Sequence, residues 1–439
     1  MRGGWTGAIS WGVWLLRFGV SLLLLLALGC GPCVGIRADY DAHLREGLAT
    51  VALGDRIALT SREHARLVFG AEAFGAASAS VLRERSSQGV SNVVMIPAAP
   101  DTRGGAVTVD FELRLERVST LSLLDPGSED DVGVQASLQA HARFEIPGQR
   151  SRWSWTSSFL LRAPLVIDDD PRQVAIAVGD AELVELEPNF PWDASAMPAS
   201  VAHALERALN DVVDAWLARM SDTMVPVARV AALDLPRITI PVQVLSVRVD
   251  EVSGAVSLSL VSALRPSLDD VTRPRLTQAS EHEVIVSIPL PTLDAALLQQ
   301  VLQTGGSRIV QGEDGSYWQP LWEPDARRPD RWQGAWRLWC LDNPKCARRE
   351  LPVSIRSEVV DRRLRLQVDS SELVGDMPPE TAQWETMASL QDLNRRTIEA
   401  MVRQIAQWGR SATSESGLAI EPVASEVSGR GLYVRFLAR

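Results

Sequence analysis

Three stretches of strict alternation constrain the fold more than any other feature. Val107 to Val118 places Val107, Val109, Phe111, Leu113 and Leu115 on one side and Thr108, Asp110, Glu112, Arg114 and Glu116 on the other. Val132 to Ile146 sets Val132, Val134, Ala136, Leu138, Ala140, Ala142, Phe144 and Ile146 against Gly133, Gln135, Ser137, Gln139, His141, Arg143 and Glu145. Trp153, Trp155, Phe159 and Leu161 carry the pattern on, as do Val174, Ile176 and Val178. Period two is the mark of a strand with one wet face. A strand of about 15 residues runs about 50 Å, where ordinary strands average about 5–6 residues. The spacing therefore predicts long antiparallel strands that must twist and roll, with an apolar inner face that needs a cover.

Three amphipathic stretches supply one. Ser61 to Arg85 carries Leu67, Val68, Ala71, Phe74, Ser78, Val81 and Leu82 at helical spacing, with Thr60 and Glu63 reading as a capping box. Pro198 to Met220 lines up Val201, Leu205, Leu209, Val212, Trp216 and Met220 opposite Glu206, Arg207, Asn210, Asp211 and Asp214. Pro379 to Trp408 shows Met387, Leu390, Leu393, Ile398, Met401, Ile405 and Trp408, with Gly409 at the expected C′ position. Gly70, Ala71, Ala73, Gly75, Ala76, Ala77 and Ala79 make the first helix small-sided, which predicts room between helix and sheet.

A short repeat organises these elements. Glu251-Val-Ser-Gly254 recurs as Glu426-Val-Ser-Gly429, each after a long amphipathic helix. Each precedes an alternating strand: Val256, Leu258, Leu260 in one and Leu432, Val434, Phe436 in the other. Ile57-Ala-Leu-Thr-Ser opens the first half. Val284-Ile-Val-Ser-Ile-Pro-Leu-Pro opens the second and leads into a helix over Thr292 to Gln303, stopped by Gly305-Gly306. The expected layout is a signal peptide over 1–29 and a tether with a first strand region over 30–55. A first repeat follows over 56–266, a linker over 267–281 and a second repeat over 282–439. A Trp-rich segment, 317–346, carries Trp318, Trp322, Trp332, Trp336 and Trp339 among Pro320, Pro324, Pro329 and Pro344. It reads as a surface loop packed on its own aromatics. The competing reading is an aromatic lip for lipid headgroups or a partner.

The N-terminus is an export signal. Phe18 to Leu28 is an apolar h-region too short for a spanning helix of about 20 residues. It ends in Ala27-Leu28-Gly29-Cys30, which resembles a bacterial lipobox, with Ala27 where a leucine is usual. The resemblance implies lipidation of Cys30 and, with Gly31 next, outer-membrane placement. The alternative is an ordinary signal peptide cut near Gly29. In an oxidising compartment Cys340 and Cys346 are expected to form a short-loop disulfide, leaving Cys33 unpaired. Cys30-Gly-Pro-Cys33 has thioredoxin spacing, but an export signal precedes it and Val34 to Tyr40 gives no helix start. The spacing of Cys340 and Cys346 is wrong for zinc.

A net charge of −11 is a poor fit to nucleic acid and to electrostatic docking on anionic lipid. Lys345 is the only lysine. The sequence holds no G-x-S-x-G, no H-E-x-x-H and no phosphate loop. His43, His64, His141, His203 and His282 are scattered, with His64 and His203 in predicted helices. Asp168-Asp-Asp170 and Glu129-Asp-Asp131 lack calcium-loop spacing and read as solvated turns. No enzyme, metal or cofactor is expected.

Long alternating strands, long helices and the repeat together resemble the tubular lipid-binding superfamily of bactericidal/permeability-increasing protein. That resemblance implies an α+β fold of two repeats, each a long rolled antiparallel sheet wrapped around a long amphipathic helix, with lipid chains in the apolar seams. The residues it places there are Leu67, Phe74, Val109, Phe111, Leu113, Leu138, Phe144, Trp153, Trp155, Leu205, Leu209, Trp216, Ile398, Met401 and Ile405. Two departures, the acidic charge and the short expected disulfide loop, argue against lipopolysaccharide as the ligand. The expected function is a lipid-anchored envelope protein that holds or transfers a membrane lipid, facing the periplasm. The alternative is a structural lipoprotein with a filled core that scaffolds an envelope protein complex.

Overall fold

The computed structural model describes residues 32–51, 57, 62–86, 90–96, 105–121, 132–145, 152–185, 207, 211, 215, 218, 224–230, 232–235, 238–250, 252–266, 279–303, 310–311, 317–325, 332–341, 346–370, 374–375, 381–411, 420–428 and 430–438. The first part of the chain forms α1 (Pro32–Thr50), β1 (Ala65–Phe69), α2 (Ala71–Ser86), β2 (Val90–Ile96), β3 (Gly105–Leu121), β4 (Gly133–Glu145), β5 (Arg152–Ile167), β6 (Gln173–Ala177) and β7 (Glu182–Glu185). Next come β8 (Met224–Arg229), β9 (Leu233–Leu235), β10 (Ile238–Ile240), β11 (Val242–Val249) and β12 (Val256–Ser262). The remainder is β13 (Glu283–Pro289), α3 (Leu290–Gln303), β14 (Val310–Gln311), β15 (Tyr317–Pro324), β16 (Trp332–Cys340), β17 (Ala347–Val360), β18 (Arg363–Ser370), β19 (Val374–Gly375), α4 (Thr381–Ser411), β20 (Ile420–Ser428) and β21 (Gly431–Ala438). The fold mixes helix with antiparallel sheet.

The alternating stretches form the long strands their period demands. A seven-stranded sheet runs β2-β3-β4-β5-β6-β8, with β7 also on β5. Its register sets Val109 beside Phe144 and Phe144 beside Trp153, then Phe111 beside Ala142 and Ala142 beside Trp155. Leu115, Leu138 and Phe159 form a further row. A bulge between Leu115 and Arg117 then swaps the parity of β3, so that Val118 joins the row of Ala136 and Leu161. Val118, Ala136 and Leu161 are buried in the main core.

A six-stranded sheet joins the two halves, in the order β11-β12-β1-β13-β21-β20. Each half gives a hairpin and one further strand against the hairpin's second strand. Leu258, Leu67, Val286 and Val434 lie side by side across four strands and are at most 1% exposed. The repeated Glu-Val-Ser-Gly falls at both hairpin tips but not in the same place. Val252 to Gly254 of the first copy lie in the β11–β12 turn, and Glu426 to Ser428 of the second belong to β20.

The segment expected as one helix from Ser61 divides instead into β1 and α2. Ala65-Arg-Leu-Val-Phe69 is rich in strand formers and fills the middle of that sheet, so tertiary pairing outweighs its helical spacing. Of the expected capping box, Thr60 lies outside the described residues, and Glu63 accepts from Arg66 Nε at 2.9 Å and from Ser259 Oγ at 2.8 Å. The tether and first strand region is likewise a helix, α1, entered through Pro32, which suits a first helical turn. The Trp-rich segment is no loop. Strands β15 and β16 sit inside a second long sheet, β14-β15-β16-β17-β18, with β19 on β17. Among the described residues β14 pairs β15 only at Tyr317 and Trp318, and Pro320 lies beyond that pairing, where a proline costs the ladder no bond.

Helix α4 buries Leu390, Leu393, Ile398, Met401, Val402 and Ile405 while Arg395, Arg396 and Arg403 stay exposed. It packs on β9, β18, β8, β13 and α3, and it continues through Gly409 rather than ending there. Of the helix expected over 198–220, Arg207, Asp211, Ala215 and Ala218 are helical and exposed. The rest of it and most of the 267–281 linker lie outside the described residues.

The small residues of α2 serve contact rather than space. A Cβ on Gly75 would stand 2.3 Å from the carbonyl oxygen of Val118, so helix backbone rests directly on β3. Helix propensity alone favours Gly75→Ala by about 1 kcal/mol, whereas overpacking costs about 1–3 kcal/mol. Gly75→Ala is expected to lower the thermal unfolding midpoint; a raised midpoint would show the helix standing off the sheet.

Candidate functional site

Of the residues expected to line the apolar seams, Leu67, Phe74, Ile398, Met401 and Ile405 fall in one continuous core and are at most 2% exposed. Phe74 stacks edge-on against Phe69, with centroids 5.9 Å apart. Val109, Phe111, Leu113, Leu138, Phe144, Trp153 and Trp155 lie on β3, β4 and β5 as expected, and their side chains are outside the described ones. Leu205, Leu209, Trp216 and the lipidation candidate Cys30 are also outside the described residues. The core is not wholly apolar. Gln300 on α3 and Asn394 and Thr397 on α4 are fully buried, and their side-chain polar atoms have no hydrogen-bond partner.

The tryptophans of the second sheet face inward on both of its sides. Trp332 and Trp336 are at most 1% exposed and Trp322 4%, and all three enter the main core. Asp294 of α3 accepts from the indole N–H of Trp322 and of Trp332, both at 2.9 Å. Trp322 also packs edge-on against Trp336, with centroids 5.3 Å apart. An indole N–H needs a partner when buried, and the buried carboxylate supplies it for two rings. An aromatic lip for lipid headgroups is therefore not what these rings form.

Trp339 points to the opposite face, where α1 lies. Its N–H donates to Asp39 Oδ2 at 2.9 Å, and Arg348 reaches the same oxygen at 3.2 Å. Tyr40, Leu298, Leu321 and Trp339 bury one another in a separate cluster, and burial together with Asp41 pushes the Tyr40 phenol up. Arg37 donates to the Leu341 carbonyl at 3.3 Å, and Arg337 donates to His43 Nε2 at 2.5 Å.

The disulfide closing this contact joins Cys33 to Cys346, with Cα atoms 5.1 Å apart. The expected Cys340–Cys346 bond is incorrect, and so is an unpaired Cys33. Cys340 pairs across the hairpin with Ala347, so Cys346, one residue earlier, presents the other face. That face also carries Trp339 and Arg348, and it is the one α1 covers. Cys340 is left as a buried free thiol. Cysteine spacing could not show this, because it depends on strand parity and on a helix 313 residues away in sequence.

His64 lies just before β1 rather than in a helix, and is 4% exposed. Its Nδ1 accepts from the Ser262 backbone N–H at 3.0 Å, with Ser262 Oγ also at 3.0 Å. Burial holds its pKa down at about 4. In the turn after β5, Asp170 is paired with Arg172 at 2.8 Å, and that bond holds its carboxyl down at about 2. No helix among the described residues is long and apolar enough to cross a membrane.

No family model matches the chain, and no curated protein matches it. Among solved structures it is similar to lipopolysaccharide binding protein, at 10% identity and a TM-score of 0.35, over 86% of this chain and 99% of that one.

Two expectations follow. Peptide mapping without reduction should recover Cys33 linked to Cys346. Loss of that bond by Cys346→Ser should cost about 6 kcal/mol in the chain-entropy model for so long a loop, while Cys340→Ala should keep it; a Cys340–Cys346 peptide would refute the pairing. The folded-state pKa of His64 lies below its unfolded value of 6.5. The unfolded chain therefore binds the proton first as pH falls. The neutral ring's contribution is whole above pH 6.5 and is lost on descent toward pH 4, by about 3 kcal/mol. Denaturant titrations at several pH values should show this slope, and His64→Gln should remove it.

Proposed function

We propose that this protein is an exported, lipid-anchored, non-enzymatic protein of the cell envelope, outer-membrane bound and facing the periplasm. In this reading it binds acyl chains of a membrane lipid in apolar seams between helix and sheet, to hold the lipid or pass it between membranes. Each half is read as one long rolled sheet around a long helix. The observation that carries this is the inner row of β3, β4 and β5. Val118, Ala136 and Leu161 are buried in the main core, and the in-register apolar row continues from them through Leu115, Leu138 and Phe159 to Val109, Phe144 and Trp153. From Val118 to Val109 is about 30 Å of strand. Each methylene taken out of water on such a face contributes about 0.8 kcal/mol, so an acyl chain needs no polar recognition to bind there.

One observation favours the second reading, a scaffold with a filled core. Ile398, Met401, Trp332 and Trp336 are fully buried by protein, and α2 rests on β3 without a gap at Gly75.

Native mass spectrometry of the unanchored protein separates the two. Co-purifying phospholipid, reduced by Leu138→Trp, is the expected result. Lipid content unchanged in Leu138→Trp and in Leu205→Trp would sink the seam assignment. Protein without lipid that captures envelope proteins would favour the scaffold.

A further inference from the structure

Helix α1 is fixed to the body at its very start. Cys33 is its second residue and is bonded to Cys346. One turn later Arg37 holds the Leu341 carbonyl, and Asp39 then takes Trp339 and Arg348. At the far end of the helix, a Cβ on Gly47 would stand 2.8 Å from Leu298 of α3. A helix held at both ends and cross-linked at its first turn moves with the sheet beneath it.

Cys30 lies three residues before Cys33. Three residues span at most about 11 Å when extended. If acyl chains sit on Cys30, the Cys33–Cys346 bond can stand no further than that from the lipid surface. Val34, the next residue, is 55% exposed on the first turn of α1 and presents apolar surface there.

We propose that the end of the second sheet bearing the Cys33–Cys346 disulfide is the face this protein sets against a lipid bilayer, and that the disulfide turns a flexible anchor into a fixed attitude. This rests on the lipidation of Cys30 proposed above. Strand β17 runs from Ala347 at that end to Val360 at the other, about 40 Å away. There Asp361 and Arg362 make an exposed turn with positive φ, and Arg362 pairs with Glu421 of β20 at 3.2 Å. The six-stranded sheet that joins the halves therefore sits at the far end from the anchor. The outward residues on the way, Arg356, Arg365 and Asp369, are exposed and charged, so this flank offers lipid no apolar contact.

The sequence supplies its own probe site. Lys345 is the sole lysine and precedes Cys346, so an amine-reactive fluorophore marks the proposed membrane face of the lipidated protein. Lys345→Arg combined with Asp361→Lys moves the same chemistry to the distal turn. In phosphatidylethanolamine–phosphatidylglycerol vesicles containing a headgroup-linked quencher, the probe at 345 should be quenched severalfold more strongly than the probe at 361. Adding Cys33→Ser and Cys346→Ser should narrow that ratio. Equal quenching at the two positions, or stronger quenching at 361, would overturn the fixed attitude. The mass of the N-terminal peptide is read in parallel. A peptide without acyl groups overturns the lipidation reading, whereas an acylated peptide with unquenched Lys345 overturns the orientation alone.

Discussion

Everything in this molecule hangs on the pairing of β1 with β13. Leu67 stands opposite Val286, and through that pair the first half of the chain becomes one sheet with the second. The residues flanking it, Leu258 on one side and Val434 on the other, complete a row with almost no exposure. A strand of five residues holds both halves because it is central and hydrogen-bonded on both edges. Gly70 closes this strand where no side chain fits: a Cβ there would meet the Ser280 carbonyl at 2.0 Å. The chain enters α2 from this point, so the position of that helix on β3 follows from the pairing.

The two hairpins that flank this pair share a feature absent from the repeated tetrapeptide. β11 shifts register between Val244 and Ser246, and β20 shifts between Pro422 and Ala424. Each irregularity falls at the fourth residue of its strand, Leu245 and Val423. A bulge bends a strand and strengthens its twist, so both outer strands turn away from the sheet at the same distance from their starts. This correspondence is geometric. The turn lengths differ, which is why Glu-Val-Ser-Gly marks both tips without aligning the residues around them.

What was legible in the sequence was whatever depended on period. β3, β4 and β5 run as long as their alternation demanded, and Leu390 to Ile405 bury the helical stripe expected of them. What was not legible depended on partners distant in sequence. Leu67 and Val68 fit a helical stripe equally well, and only the neighbours β12 and β13 make them strand. The prolines around Trp318 to Trp339 signalled a loop, because nothing local announces that β15 pairs with β16 from Trp318 to Pro324. Pro32 was a helix start in plain view, hidden by the cysteine motif around it. The glycines and alanines of α2 predicted room between helix and sheet, and at Gly75 there is none. Small residues admit either a guest or a neighbouring backbone, and the Val118 carbonyl is the neighbour.

The same ambiguity governs the seam itself. Tight packing at one end of a long sheet does not decide what happens at the other, since a core is filled only where a helix reaches it. α2 and β3 are flush at Gly75, beside the bulge that changes the parity of β3. Beyond that bulge the strand presents its odd residues, Leu115, Leu113, Phe111 and Val109, and the apolar row changes phase. The bulge thus marks where the apolar row of β3 passes from even to odd residues, and Gly75 of α2 meets the strand on the even side of it.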